Sequence, residues 1–481
     1  MPSRRRCRRR RLWDRRARGG CHPMTIPPGL TERYALRAGV HSAVLPDGVM
    51  RLFAWPHAES IGALSADETT LLKELAEGPR EIADPALRPF VERLFRGGWL
   101  KRTLSRGEHD LYTLDPLRRP GSRPAPPDDP VLSRFAAVRR RPSGFVIESP
   151  LAWCDVHVHD PALLPDLLEP AGGRAGRSSL APQIRRQALA DLAWAGLVVP
   201  RGAEDGALRT RQWAPHELDF HQRSRLYHRG YLGDGFGGTF WARGTFDPPQ
   251  ARPQRYPGDP IPLHRPDLNA LRAADPPLTA VLEDRRSVRE YDDDAPMTVE
   301  QLGELLYRSA RIRDVKVIDG VEYVRKPYPS GGSVYELEIY PVVRHVAGLA
   351  PGMYHYDAYE HVLRPVRPAG HPAVRRMLTV ASHGSAVGIR PQLLLVVSAR
   401  VGRVMWKYEG MGYALILKHV GVLYQTLYCV ATAMGLAPCA IGSGDSAAFS
   451  EATGRDPLEE CAVGDFLLGS RPASGSTVEE S

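Results

Sequence analysis

Three short stretches in the last third of the chain carry groups suited to holding a flat, phosphorylated ligand. "EDRRSVREY" gathers Arg285, Arg286, Ser287 and Arg289, three cations and a hydroxyl within five residues, directly after the apolar segment "PLTAVL". Guanidinium groups offer forked donors that match phosphate oxygens. "YPSGGSVYELEIY" sets Ser330, Gly331 and Gly332 ahead of a strand-like run. Paired glycines let the backbone approach another group closely or take a positive φ. "GLAPCAIGSGD" repeats the device with Gly442 and Ser443, again able to bring backbone against a flat ligand.

Two other clusters offer less. "WCDVHVHD" places Cys154, His157 and His159 close together, with both histidines on one strand face and no fourth metal ligand at a fitting spacing. A surface histidine pair is the plainer account. Residues 214–241, rich in His, Arg, Gly and aromatics without a regular period, form either a loop lining a site or an ordered connector.

The elements that must position these groups can be read from periodicity. "TVEQLGELLYRSARI" is an amphipathic helix with Leu302, Leu305 and Leu306 inward. From Ser333 onward, Val334, Leu337, Ile339 and Val342 are spaced for a half-buried strand. "MYHYDAYEHVLRPV" predicts a Tyr-rich hairpin, and the continuous apolar run "QLLLVVSAR" a central strand. Tyr413 to Leu436 is apolar nearly all round, which calls for burial on more than one side. It carries Lys418, His419 and Gln425, and a lysine in lipid costs about 2.5–3.5 kcal/mol. A helix buried in a soluble protein or a dimer is the reading, with no membrane partner and His419 as a core histidine.

The N-terminal half is a repeat. A hairpin around Leu45–Gly48 precedes a helix opening at Ser65, where Ser65 and Glu68 form a capping-box pattern and Leu71, Leu72 and Leu75 give the apolar face. A second helix holds "FVERLFRGGWLKR", and the strand-like "DLYTLDP" follows. After a Pro-rich linker, 117–130, the order recurs: the hairpin "FAAVRRRPSGFVIES", the short helix "PALLPDLL" and the longer "RRQALADLAWAGLVVP". Leu94, Gly98 and Leu100 match Leu192, Gly196 and Val198 at a constant offset of 98. Helix, helix, glycine stop and wing outline two tandem winged-helix-like modules, 24–116 and 131–215. Their helices lack the basic face a DNA reader needs, so a peptide-docking or packing role is favoured over nucleic acid.

Bulk properties agree. The chain has 481 residues and a net charge of +9, but residues 1–23 hold ten Arg and one Asp and account for all of it. That segment reads as a basic disordered arm or a start upstream of Met24. No apolar segment follows it as in a secretory signal. The six cysteines lack CxxC spacing, which supports neither a disulfide framework nor zinc and fits a cytoplasmic location.

Taken in order, "RRSVREY", "YPSGGSVYELEIY", "KYEGMGYALILKHVG" and "GLAPCAIGSGD" resemble the FMN-binding nitroreductase fold, and within it the SagB-type, thiazole/oxazole-forming peptide dehydrogenases. The likeness covers 278–469. "GFVIESPL" and "HELDFHQRSRL" resemble the leader-recognising front half of long members. The fold class implied is α+β, with a C-terminal FMN domain at 278–472 reached through a connector at 216–277. The resemblance implies FMN as cofactor, with Arg285, Arg286 and Ser287 at its phosphate, Ser330–Gly332 beside the flavin, and Gly442 and Ser443 at its opposite edge. It implies oxidation of a peptide azoline to an azole, with Lys407 and Tyr408 matching the family's Lys-Tyr pair. A lysine acts as a base only where burial or nearby cations lower its pKa from about 10.4. A precursor peptide, a cyclodehydratase and a second copy of the chain are the partners implied. Arg471 is the sole cation where nitroreductases add a C-terminal phosphate contact, and it is left outside the predicted site. Two alternatives stay open, a general nitro or quinone reductase and a non-catalytic recruiting scaffold.

Overall fold

Gly98 and Gly196 end two helices in the same way. Both take left-handed φ, 77° and 83°, and in both the following N–H reaches back to the carbonyl of the predicted leucine: Trp99 to Leu94 at 3.0 Å and Leu197 to Leu192 at 2.9 Å. That six-to-one bond needs a residue without Cβ at the turn. The two helix ends matched in the sequence close alike, but the strands after them differ: Leu100–Arg106 joins a seven-stranded sheet, whereas Val198–Pro200 pairs with Pro130–Leu132 in a separate two-stranded one.

The computed structural model describes residues 27–54, 57–170, 181–225, 239, 241–242, 244–384 and 390–472. The basic segment 1–23 and much of the 214–241 stretch lie outside the described residues. Two compact units result, one up to Gln222 and one from Asp234.

In the N-terminal unit, α1 (Ala66–Glu77) carries the Ser65–Glu68 capping box and buries Leu71, Leu72 and Leu75. Helix α2 is Arg88–Arg96 and α3 is Pro182–Ala195. The strands are β1 (Thr31–Leu36), β2 (Leu100–Arg106), β3 (His109–Pro116), β4 (Ala137–Arg141), β5 (Gly144–Glu148) and β6 (Cys154–Val158). With Arg80–Glu81 at one edge they form one antiparallel seven-stranded sheet in the order Arg80–Glu81, β1, β2, β3, β6, β5, β4. Pairing of β3 with β6, Thr113 opposite His157, joins the two repeats. Rather than two separate modules, both repeats share this sheet and one core. A buried polar link adds to it: Arg102 of β2, 1% exposed, lies 2.6 Å from Asp191 of α3 and 3.0 Å from Glu32 of β1. The two histidines of "WCDVHVHD" are used locally, His159 on the Thr113 hydroxyl at 2.8 Å and His157 beside Asp115 at 3.5 Å.

The C-terminal unit is a second antiparallel seven-stranded sheet. Its strands are β7 (Leu337–Val343), β8 (Gly352–Asp357), β9 (Val362–Pro368), β10 (Leu393–Arg400), β11 (Cys439–Ile441) and β12 (Glu460–Leu468). The order is Ile261–Pro262, β9, β8, β7, β10, β12, β11, so the expected connector 216–277 supplies an edge strand of this unit. The apolar run became β10, between β7 and β12.

The half-buried strand expected from Ser333 is different. Ser333 and Tyr335 take left-handed φ, 56° and 43°, so regular structure starts only at Leu337, and every residue of β7 is buried. Leu337 and Ile339 face one core and Val342 the other. The polar positions between them are buried too: His355 meets Glu338 at 3.3 Å, and the Tyr340 hydroxyl donates to Glu460 at 2.8 Å.

The helices of this unit include α4 (Val299–Ala310), α5 (Val401–Met405), α6 (Gly412–Ala433) and α7 (Ser446–Thr453). Thr298 and Gln301 cap α4, and Leu302, Leu305 and Leu306 are buried as expected. Among the described residues, α6 is long and apolar enough by length and composition to cross a membrane, yet Ile416, Val420, Leu423 and Leu427 pack into the core of this unit. It is not apolar all round. Tyr413, Leu417, Lys418, Gly421 and Gln425 form an exposed stripe along it.

Candidate functional site

The Ser-Gly-Gly turn is shaped by three left-handed residues within four, Gly332 at φ 62° followed by Ser333 and Tyr335. For non-glycine residues that conformation is uncommon and is held only by surrounding contacts. Here the Ser330 hydroxyl accepts from the Tyr335 N–H at 3.2 Å, and the Gly331 N–H donates to Nε2 of His419 at 2.7 Å. Lys407 Nζ donates to the Gly332 carbonyl at 3.2 Å. A Cβ on Gly332 would stand 2.6 Å from the Tyr408 hydroxyl oxygen and 2.8 Å from Lys407 Nζ. Only glycine fits without displacing them.

Lys407 and Tyr408 therefore converge with Ser330–Gly332. They sit in the turn after α5, both amides reaching the Val404 carbonyl at 3.0 and 2.9 Å. A cavity of about 500 Å³ opens beside Lys407, walled by Phe246, Tyr323, Val334, Arg403 and Trp406. The ammonium lies 5.3 Å from the Tyr323 ring centre. Arg403 is buried and spends its guanidinium on the carbonyls of Val334, Pro249 and Glu322, which fixes one wall.

A second cluster gathers the basic residues. The Ser287 hydroxyl is 2.8 Å from that of Tyr428 on α6, and the Arg285 guanidinium lies 5.3 Å from the Tyr428 ring centre. Tyr428 accepts from the Ala440 N–H of β11 at 2.7 Å, and the Val288 N–H reaches the Pro438 carbonyl at 2.8 Å. Arg286 and Arg289 are exposed and have no carboxylate partner among the described residues, whereas Arg308, Arg344 and Arg364 of the same unit are ion-paired.

Arg471 was left outside the predicted site. Its Nε and one Nη are buried with no partner. Backbone bonds from Ala437 to the Gly469 carbonyl at 2.9 Å and from Asp292 to the Ser470 carbonyl at 3.4 Å bring it to the same edge of the unit. Buried donors without acceptors are costly. The Val288 bond to Pro438 brings the segment of Arg285, Arg286, Ser287 and Arg289 to that edge as well, and guanidinium and hydroxyl donors are of the kind that suits phosphate oxygens, so this chain's residues fit the FMN that the resemblance implies.

Gly442 and Ser443 follow β11 and are exposed, with no atom within 4 Å of a Cβ placed on Gly442. Behind them lies Asp465 of β12, paired in register with Ile441. Burial, then the neighbouring Asp445, push the Asp465 carboxyl up to about 7. The structure thus joins Ser330–Gly332 with Lys407 and Tyr408, and Arg285 and Ser287 with the strand leading to Gly442. These two sets meet α6 at His419 and at Tyr428, about 13 Å apart along the helix axis.

Comparison with known proteins places this architecture. The nitroreductase family profile matches residues 282–466, and that of the cyanobactin oxidase ThcOx matches residues 130–229. The chain is 30% identical over 186 residues to the nitroreductase-named protein MJ1384 of Methanocaldococcus jannaschii, covering 39% of this chain and 86% of that one. It is 30% identical over 117 residues to the microcin B17-processing protein McbC of Escherichia coli, 24% of this chain and 42% of McbC. A solved E. coli microcin synthetase McbBCD complex with truncated pro-MccB17 bound aligns at TM-score 0.33 and 19% identity, over 53% of this chain and 91% of the matched one. Other solved structures that align with it were determined in complex with FMN. The extent of the match to the archaeal protein shows the family: the chain belongs to the nitroreductase family of oxidoreductases.

Proposed function

We propose that this protein is an FMN-dependent dehydrogenase that oxidises azolines in a ribosomally made peptide to thiazoles or oxazoles. The observation that carries the reading is the convergence of Lys407 and Tyr408 on Gly332 beside an aromatic-walled cavity. A reductase of small nitro compounds has no need of a side-chain base at that point. The matches to ThcOx and McbC support the same reading.

Arg285, Arg286, Ser287, Arg289 and Arg471 hold the phosphate in this proposal, and the Ser330–Gly332 and Gly442–Ser443 turns lie against the flavin. When bound, FMN supplies the acceptor for the electron pair and hydrogen that leave one ring carbon. The chain's own work is on the neighbouring carbon. Tyr323, Trp406 and Phe246 receive the planar ring, and Lys407 takes the proton. The resulting ammonium donates to the Gly332 carbonyl, which is already in place at 3.2 Å. Tyr408, packed on the same glycine, orients substrate or lysine. Such general-base catalysis contributes about 10²- to 10⁴-fold.

The N-terminal unit is the proposed docking element for the leader of the precursor peptide, with a cyclodehydratase supplying the azoline. A second copy of the chain covers the exposed stripe of α6. The test is to incubate an azoline-bearing precursor with the flavin-loaded protein and oxygen, and to follow the loss of two mass units per ring. No loss of mass, together with turnover of a nitroaromatic by NADPH, would instead support the general reductase that the nitroreductase family also accommodates.

A further inference from the structure

We infer that His419 and Glu336 are positioning residues that set the Gly331–Gly332 segment of the turn and, through it, Lys407; the inference rests on the proposed function. Sequence reasoning took His419 for a core histidine. It is buried, but both ring nitrogens are engaged in a defined sense. The Gly331 N–H donates to Nε2 at 2.7 Å, so Nε2 must be the unprotonated acceptor. The ring proton is therefore on Nδ1, which lies 2.7 Å from a carboxylate oxygen of Glu336.

Glu336 is 1% exposed, and its second carboxylate oxygen is buried with no partner. A buried carboxylate oxygen left bare is costly, and an apolar side chain of similar volume is often as stable or more so. Glu336 contributes something other than packing. Its evident effect is on the histidine: an acceptor at Nδ1 fixes the tautomer, as in other oriented histidines. The opposite tautomer would aim an Nε2–H at the Gly331 N–H, donor against donor. The chain of contacts runs from Glu336 through His419 to the Gly331 N–H, and from the adjacent Gly332 carbonyl to Lys407 at 3.2 Å. Its anchors are a helix, α6, and the residue next to a central strand, β7. Rigid elements are the supports that hold reacting groups to within fractions of an ångström.

The test uses the full-length, flavin-loaded protein with His419→Leu, His419→Gln and Glu336→Leu. It has two readouts, steady-state azoline oxidation and the rate at which an amine-reactive reagent labels Lys407 without substrate, with the exposed Lys73 of α1 as reference. His419→Leu should lower kcat about 10- to 100-fold with peptide KM nearly unchanged, and should shift Lys407 labelling relative to Lys73. His419→Gln, whose carbonyl accepts from Gly331 and whose amide donates to Glu336, should restore both. Should His419→Leu not fold, Glu336→Leu carries the same expectations. Unchanged kcat and labelling in the leucine variants would overturn the inference, as would a glutamine variant no better than leucine. If wild type oxidises no azoline, the functional reading fails separately, and the labelling comparison still decides this one.

Discussion

Lys407 and Gly332 are interlocked: the lysine amine donates to the glycine carbonyl at 3.2 Å, and the same nitrogen stands 2.8 Å from where a Cβ of residue 332 would be. Gly332→Ala must move one of them. The atoms met are ends of flexible side chains, so the pair shifts and the fold survives. The left-handed φ of 62° adds about 1–2 kcal/mol of strain for alanine. The expected outcome is a folded, flavin-bound variant, destabilised by that amount in denaturant, whose azole formation falls about hundredfold.

Lys407→Ala should abolish azole formation, a fall of about 10²- to 10⁴-fold, with flavin occupancy retained. Tyr408→Phe should be milder if the phenol only orients, and comparable if it relays the proton. Mass spectrometry of the incubated precursor measures both. Near wild-type turnover by the alanine variant would end the assignment of Lys407 as the base.

The purified protein should be yellow and release FMN, identified by the mass of the freed chromophore. Arg286→Ala with Ser287→Ala should lower flavin occupancy by removing charge-assisted contacts. Arg471→Ala should do the same, because its buried donors are then satisfied by the phosphate. An Arg471→Ala protein with full flavin would show that those donors serve another partner.

Asp465 gives a pH signature. Its carboxyl is raised from an ordinary 3.8 to about 7, so the folded chain keeps a proton that the unfolded chain releases. The stability this group contributes is complete below about pH 4, declines as pH rises towards 7, and is gone above that. The full swing is on the order of 4 kcal/mol. Asp465→Asn should flatten the decline and be more stable than wild type at pH 8, measured by chemical denaturation across pH. An unchanged slope would place the titration elsewhere.

The stripe on α6 predicts a dimer. Tyr413 and Leu417 are each 41% exposed and lie one turn apart, in line with Gly421 and Gln425. Light scattering should give twice the chain mass of 53.2 kDa, and Leu417→Glu should shift the population towards monomer by placing a charge in the contact. A wild-type monomer would remove the support.

Much of this was legible in the sequence because it depends on local rules. Glycine at 98 and 196, the capping box at Ser65, and the apolar run of β10 each state their own structure. The site was legible in part. The Ser-Gly-Gly turn stands out by composition and the Lys-Tyr pair by resemblance to the family, but their meeting is a long-range contact that no spacing encodes. His419 was hidden because one histidine in an apolar helix looks the same whether it packs or holds a turn. Arg471 was set aside because a lone cation after the last strand is common, and only the two buried, unpartnered nitrogens of its guanidinium mark it. Lys326, beside the turn, drew no notice in the sequence, and it is buried and donates to the Leu337 carbonyl at 3.2 Å.

One helix touches both clusters, and this makes α6 a gauge bar. His419 holds the turn that meets Lys407, and Tyr428 holds the strand and hydroxyl at the basic end. Inserting a single residue between them would swing one end about 100° around the axis and advance it about 1.5 Å. The loops of this unit can absorb insertions, but the span from 419 to 428 cannot. Its residue count is itself part of the site, as strictly as any side chain.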